Sequence, residues 1–299
     1  MIEYQNISNT EYKALAEKIK NDFFRPINTF KTSLFLCGAD ITQKNKVRFK
    51  IAEEFKHSWN AFRFDIIYPE DIFDELLYSS KRKDLLSLEN LLAKSVDIIV
   101  IVPESPGSFT ELGAFANNPI LRKQIVCISD QKYKKKKSFI NQGPIKLIKS
   151  VNKNGVVFVD TNDIPNEMGK VLSAINKTKK VKTPLHKEIT LLNLYSFLLP
   201  AIYLLEPVQE KVLEYIIRNI IDKEENSFVL TKTALTTLTK NRLIENTING
   251  YKLSDLGINK FDKLRQLSSR IKIQDETVAL DNLRLEILNF TNRKKKMKI

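Results

Sequence analysis

The sequence predicts an α/β fold, a doubly wound parallel sheet followed by a mostly helical second domain. Short apolar runs rich in β-branched residues alternate with helical segments as far as Asn176. Polar, turn-forming stretches (CGAD, YPED and PESPGS) follow the ends of these runs again and again. That is how the ligand edge of an open parallel sheet is built. From Glu188 onward the apolar spacing becomes helical, interrupted by one Asn-Gly turn. The first domain therefore reads as flavodoxin-like or Rossmann-like, and the second as a small α-rich module.

Residues 1–30 hold an amphipathic helix with Tyr12, Leu15, Ala16, Ile19 and Phe23 on one face, closed by Pro26. Domain one spans 31–176. Its strands are expected at Thr32–Ala39, Phe64–Tyr68, Ile98–Val102, Gln124–Ser129 and Gly155–Asp160. Helices are expected at Gln43–Trp59, Ser87–Val96 (Leu88, Leu91 and Leu92 inward), Gly107–Asn117, Ser138–Ser150 with a break at Gly143-Pro144, and Ile164–Asn176. Residues 177–187, lysine-rich with a proline and no acid, read as a basic linker, or in their first half as a solvated helix end. Domain two, 188–299, opens with a helix ending at Pro200, then helices Val208–Ile221 and Thr231–Asn241. A hairpin turning at Asn249-Gly250 follows, then a helix from Asp255 capped by Ser254, and a basic tail. Helix, helix, hairpin, helix is the order of a winged helix-turn-helix.

Lys and Arg number 49 against 35 Asp and Glu, a formal net charge of +14. That excess favours a polyanionic partner, nucleic acid ahead of a membrane surface; the plain alternative is a basic protein without one. Cys37 and Cys127 lie in apolar runs, and His57 and His186 stand far apart, so no metal site is expected. The N-terminus lacks a signal-peptide pattern and no apolar run is long enough to cross a bilayer, which points to a cytoplasmic protein.

The chemistry concentrates between Ile98 and Asn118. A buried strand breaks at Pro103-Glu104-Ser105-Pro106-Gly107, and a helix restarts with Ser108, Thr110 and Glu111 in its first turn. Ser108-Phe109-Thr110-Glu111 matches an S-x-x-E capping box, which would occupy both side chains structurally. In the functional reading, Glu111 faces the crevice with other strand-end acids, Glu70, Asp71 and Glu89. Paired carboxylates suit glycosidic cleavage, and a helix dipole would keep Glu111 ionised as a nucleophile. Gly38, Asp40, Ser105, Gly107 and Ser108 complete the expected substrate-binding set around these acids.

Gly107-Ser108-Phe109-Thr110-Glu111-Leu112-Gly113 resembles the D-x-G-[ST]-x-x-E-x-G signature of nucleoside deoxyribosyltransferases. The resemblance implies that Glu111 is the nucleophile. Glu89, eight positions before Asp97, takes the place of the family's acid for base contact or proton transfer. The chain departs from the signature at Ser105 and Pro106, where the family has acids. The loop is also similar to the P-G-G-x-G-T-x-x-E signature of nucleotide-cleaving phosphoribohydrolases. A longer resemblance, through FLCGAD, YPEDIFDELL, SLENLLA, PESPGSFTELGAFANN and RLEILNFTNRKK, is to retron-associated effectors that join a deoxyribosyltransferase-like domain to a winged-helix DNA-binding domain. It implies an antiphage toxin held in check by a reverse transcriptase and its multicopy single-stranded DNA and non-coding RNA. It also implies N-glycosidase chemistry on a nucleotide such as NAD or a deoxynucleotide, without a cofactor, in a homo-oligomer or higher assembly. The alternative is a nucleotide-sensing, nucleic-acid-binding scaffold without turnover.

In the second domain, Thr236 and Lys240 on the outer face of Thr231–Asn241, with Arg242 and the wing residue Lys252, are the expected nucleic-acid contacts. The competing reading is a protein-docking module.

Overall fold

The computed structural model describes residues 9–57, 60, 63–70, 96–181, 189–190, 192–221, 227–271, 281–285 and 287–289. The chain divides into two compact units, Lys31–Leu185 and a second that joins Met1–Phe30 to His186–Ile299.

The elements run α1 (Asn9–Lys18), a π-helical turn (Ile19–Phe24), α2 (Arg25–Phe30), β1 (Thr32–Cys37), α3 (Val47–Lys56), β2 (Phe64–Ile67) and β3 (Ile98–Ile101). Next come α4 (Pro106–Asn117), β4 (Ile125–Asp130), α5 (Phe139–Gln142), α6 (Pro144–Val151), β5 (Val156–Val159) and α7 (Ile164–Val181). The other unit continues with α8 (Tyr195–Leu205), α9 (Glu210–Arg218), α10 (Ser227–Lys240), β6 (Ile244–Thr247), β7 (Gly250–Leu253) and α11 (Asp255–Ile271).

In the α/β unit the five strands pair in parallel in the order β2-β1-β3-β4-β5. This order is that of flavodoxin-like doubly wound sheets, whose switch point lies between β1 and β3. Both strands at that point are buried along their whole length, as central parallel strands covered on two faces must be. Leu34, Leu36, Ile98 and Val100 pack with Ile51 and Phe55 of α3 and Val171 and Ile175 of α7. On the alternate residue of β1, Phe35 meets Phe115 of α4, ring centroids 6.5 Å apart. At the amino ends of the central pair, the buried Asp97 carboxylate accepts from the Ser33 backbone N–H (2.9 Å) and hydroxyl (3.2 Å). The expected break at Gly143-Pro144 separates α5 from α6. The lysine-rich stretch after Asn176 continues α7 as helix to Val181, so its first part is a helix end and not linker. The expected helix over 87–96 falls almost wholly on residues outside those described.

In the second unit, Pro26 does not end the N-terminal helical run. It sits in the first turn of α2, where the missing N–H costs nothing. Pro200 likewise lies inside α8, whose apolar sequence is buried on nearly every side, so that packing outweighs the lost hydrogen bond. The N-terminal segment packs within this unit. Lys20 Nζ donates to the Ile220 carbonyl (3.0 Å), Asn28 Nδ2 donates to Ser196 Oγ (2.9 Å), and the rings of Phe23 and Phe261 stack at 5.7 Å.

The hairpin forms, one residue out of the expected register. Thr247 pairs with Gly250, leaving Ile248 and Asn249 as the turn. Gly250 has φ 122°, and a Cβ there would stand 2.5 Å from the Val208 carbonyl oxygen. The glycine thus serves close backbone approach, and Tyr251 bridges to Val208 beside it (2.7 and 2.9 Å). Ser254 caps α11 as expected, accepting from Gly257 N–H at 3.0 Å.

Candidate active site

The site forms where β1 and β3 end. β1 delivers Cys37, Gly38 and Ala39, and the loop after β3 delivers Glu104, Ser105 and α4. This is the crevice in which doubly wound sheets bind ligands.

The helix start differs from the expected one. Ser105 is the N-cap of α4, Pro106 is the first helical residue, and the capping box joins Ser105 to Ser108. Ser108 is fully buried. Its hydroxyl accepts from the N–H groups of Glu104 (3.0 Å) and Ser105 (2.9 Å) and donates to the Ser105 carbonyl (2.9 Å). It has no capacity left for a substrate. Ser105 Oγ, besides accepting from Ser108 N–H (3.3 Å), contacts the Gly38 carbonyl (3.2 Å). Both serines therefore build the loop. Glu111, six residues past the cap, lies in the second turn and takes no part in the box, so the capping account of that side chain falls away. Beside Gly107 there is open space, with no atom within 4 Å of an added Cβ.

Glu111 is a half-buried carboxyl with a pKa of about 7. Burial is the main cause; a hydrogen bond from the Cys37 thiol and the nearby Arg48 charge pull the other way, and Glu70 pushes it up. Burial thus lifts Glu111 well above the dipole-held anion expected, and its second-turn position lies past the first turn, where the dipole acts most strongly. Cys37 is wholly buried, and burial followed by the Glu111 charge lifts its thiol well above its ordinary value. It is a neutral hydrogen-bond partner of Glu111, which its place in an apolar run did not suggest.

The group nobody would place here from composition is Arg48. Its side chain is 1% exposed, and its guanidinium holds Glu70 through two parallel bonds of 2.6 and 2.7 Å. Nη1 also donates to the Ala39 carbonyl (2.7 Å), and the group lies 5.3 Å from the centre of the Tyr68 ring. Burial works against this cation, but the Glu70 bonds outweigh it and raise its pKa; the same bonds overcome burial at Glu70 and hold that carboxyl below its usual range. Glu70 is therefore the counter-ion of Arg48. Gly38 is required by Arg48, since a Cβ at 38 would approach Arg48 Cβ to 2.7 Å. Asp40 is exposed and caps a local turn, accepting from the Thr42 N–H and hydroxyl (2.8 Å each), which lower its pKa.

Glu104 completes the frame. Its two carboxylate oxygens accept from the N–H groups of Val47 and Arg48, both at 2.9 Å, so a side chain of the β3–α4 loop caps α3. Of the expected site residues, the structure brings Glu111, Glu70, Gly38, Ser105 and Ser108 to one edge. Asp71 and Glu89 lie outside the described residues. Sequence reasoning missed Arg48, Glu104 and the role of Cys37. Arg48 left one signal: it precedes Ile51, Ala52 and Phe55 at helical spacing, a charge on the buried face. Among the described residues no group of His, Cys, Asp and Glu is arranged to hold a metal ion, and no helix is long and apolar enough to cross a membrane.

In the other unit, Thr236, Lys240, Arg242 and Lys252 are all exposed. Thr236 donates its hydroxyl proton to the Lys232 carbonyl (2.9 Å), and Lys252 is paired with Glu245 (2.8 Å), which leaves Lys240 and Arg242 as the more accessible cations.

The family model described as STM3845 retron effector protein matches residues 44–246. Over 291 residues the chain is 36% identical to the Escherichia coli "Retron Ec86 putative ribosyltransferase/DNA-binding protein", covering 92% of this chain and 90% of the relative. The Escherichia coli protein of the same description from retron Ec73 is 37% identical over 123 residues, 40% of this chain and 38% of that protein. The chain belongs to the STM3845 family of retron effector proteins.

Proposed function

We propose that the α/β unit breaks the N-glycosidic bond of a nucleotide, with Glu111 as nucleophile, and that the second unit is a basic winged helix that contacts nucleic acid. The observation that carries the reading is Glu111 itself: a half-buried carboxyl at the β1/β3 switch point, near a neutral thiol and the buried Arg48 cation with its half-exposed partner Glu70. In the proposed step a Glu111 oxygen bonds the anomeric carbon while the carbon–nitrogen bond breaks and its electron pair leaves with the base. Water, or another acceptor, then displaces Glu111 and restores the carboxylate. A pKa near 7 suits a substrate that brings positive charge, because a cationic ring or an oxocarbenium-like centre beside Glu111 favours its ionised form. NAD meets that condition. Its pyridinium leaves as neutral nicotinamide, and no general acid is needed. For a deoxynucleotide a proton donor is required, the role proposed for Glu89. The relatives' description as ribosyltransferase/DNA-binding proteins supports both halves of the reading. The retron context supports a reverse transcriptase with its multicopy DNA as the controlling partner.

The test is chromatography of NAD and of deoxynucleosides incubated with the wild type and with Glu111→Gln. Free base with the wild type and its loss in a folded variant are expected; unchanged release in the variant rules out Glu111 as nucleophile. One feature also favours a second reading, nucleotide sensing without turnover: burial pushes the Glu111 pKa up to about 7, so the protonated carboxyl can donate a hydrogen bond to a ligand. Saturable binding by the wild type with no base released would select it.

A further inference from the structure

We infer that the α/β unit carries its own docking surface for single-stranded DNA, formed by the lysine run after β4 and the helices that follow it. Lys134, Lys135, Lys136 and Lys137, with Lys146 and Lys149 of α6, line a recess of about 290 Å³ in which no carboxylate takes part. All six are exposed. From sequence alone such a run reads as solvated surface, but three features of the structure set it apart.

The run is held in shape. Asn141 donates to the carbonyls of Tyr133 (2.8 Å) and Lys136 (2.6 Å), and the N–H groups of Lys134 and Lys136 close turns onto Gln131 and Tyr133 (3.1 Å each). A run whose backbone is already fixed in its turns loses less entropy on meeting a row of phosphates than a floppy one does. Aromatic rings are interleaved with the cations. Phe139 is 88% exposed and Tyr133 43% exposed, while Lys136 and Lys149 lie 5.1 Å from the ring centres of Tyr133 and Phe158. Leaving an aromatic ring as open as Phe139 costs apolar hydration, and a ring beside a phosphate-binding groove is a platform for an unpaired base. The lysines are gathered in a recess and not on a flat face, which fits a strand that can be laid in better than it fits a bilayer surface.

A duplex hides its base faces and would leave Phe139 without a partner, so the strand is single. The choice of DNA over RNA rests on the DNA-binding reading given above. This surface is separate from Lys240 and Arg242, so the two units would each hold nucleic acid.

Fluorescence anisotropy with the full chain tests this, using a labelled single strand of about 20 nucleotides, its RNA counterpart, its duplex, and anionic vesicles. The variants are Lys134→Gln/Lys135→Gln/Lys136→Gln/Lys137→Gln, Phe139→Ala, and Lys240→Gln/Arg242→Gln for the other unit. The lysine variant is expected to lose at least about tenfold in single-strand affinity and to flatten the salt dependence by about 2 to 3 in log–log slope. Phe139→Ala is expected to weaken single-strand binding about tenfold, with duplex binding and salt slope unchanged. A wild type that binds single strands while the lysine and Phe139 variants match it in affinity and slope overturns the inference. So does loss confined to Lys240→Gln/Arg242→Gln, RNA bound more tightly than DNA, or a variant that loses only vesicle binding. A wild type that binds no DNA instead refutes the DNA reading of both units. Thermal melts of the variants, all exposed substitutions, confirm that each is folded.

Discussion

The Glu111 edge and the α10–hairpin face use charge in opposite ways. At the edge, Arg48, Glu70 and Glu104 are consumed by one another or by backbone groups, and Glu111 is left in a low-dielectric setting that moves its pKa to about 7. On the other face, Lys240 and Arg242 stand in water. Buried charge acts on neighbouring atoms within bonding distance and shifts their ionisation. Exposed charge acts as a screened field and makes an attraction for polyanions. The consequence is an asymmetry in what mutation does to each region.

The largest effect is expected where a buried charge loses its partner. Glu70→Ala strands the Arg48 guanidinium, whose Nε is already buried without a hydrogen-bond partner among the described residues. Chemical denaturation should show a loss of about 3–5 kcal/mol. Arg48→Met should cost less, about 2 kcal/mol, because Glu70 is half exposed and can turn to water. Equal losses would show that the pair does not act as a buried cation with a solvated counter-ion.

A smaller effect is expected from pH. Glu111 rises from an ordinary 4.5 to about 7 on folding. A carboxyl raised in the folded state adds stability that is fully present below pH 4.5 and lost as pH climbs through 7. The two values are separated by about 3 kcal/mol at most. Stability of the wild type, measured by urea titration from pH 4.5 to 8, should fall by up to that amount relative to Glu111→Gln. Parallel curves would mean that Glu111 is not desolvated. The smallest effect belongs to the exposed face. Lys240→Gln/Arg242→Gln should shift stability by less than about 0.5 kcal/mol, and a larger shift in thermal melts would mean these side chains are structural.

Local patterns carried the fold far. The buried runs of β1, β3 and β4, the Gly143-Pro144 break, the Ser254 cap and the hairpin were legible because each depends on residues near one another in sequence. Errors arose where two signals competed within a few residues. Pro106 looked like part of a turn, yet it is the first residue of α4, which moved the capping box from Ser108–Glu111 to Ser105–Ser108. Asn249-Gly250 marked a turn, yet Gly250 opens β7 so that the backbone can pass Val208. The site was half legible. Glu111 and Glu70 sit at strand ends and could be nominated, whereas Glu104 on the N–H groups of α3 and Cys37 beside Glu111 are meetings across 57 and 74 residues of chain (104 minus 47, 111 minus 37). The N-terminal helices gave no hint that they belong with the unit that starts at His186.

The Glu104 clamp couples position to acidity. One carboxylate ties the loop that starts α4 to the first turn of α3, and that turn carries Arg48, whose charge lowers the pKa of Glu111. The loop and the cation are thus tied through the backbone of α3, while the guanidinium itself is held by Glu70 and the Ala39 carbonyl. The proton on Glu111 thereby answers to where the loop sits: the clamp holds the helix start that bears Arg48, and the Arg48 charge keeps the carboxyl's pKa lower than burial alone would set it.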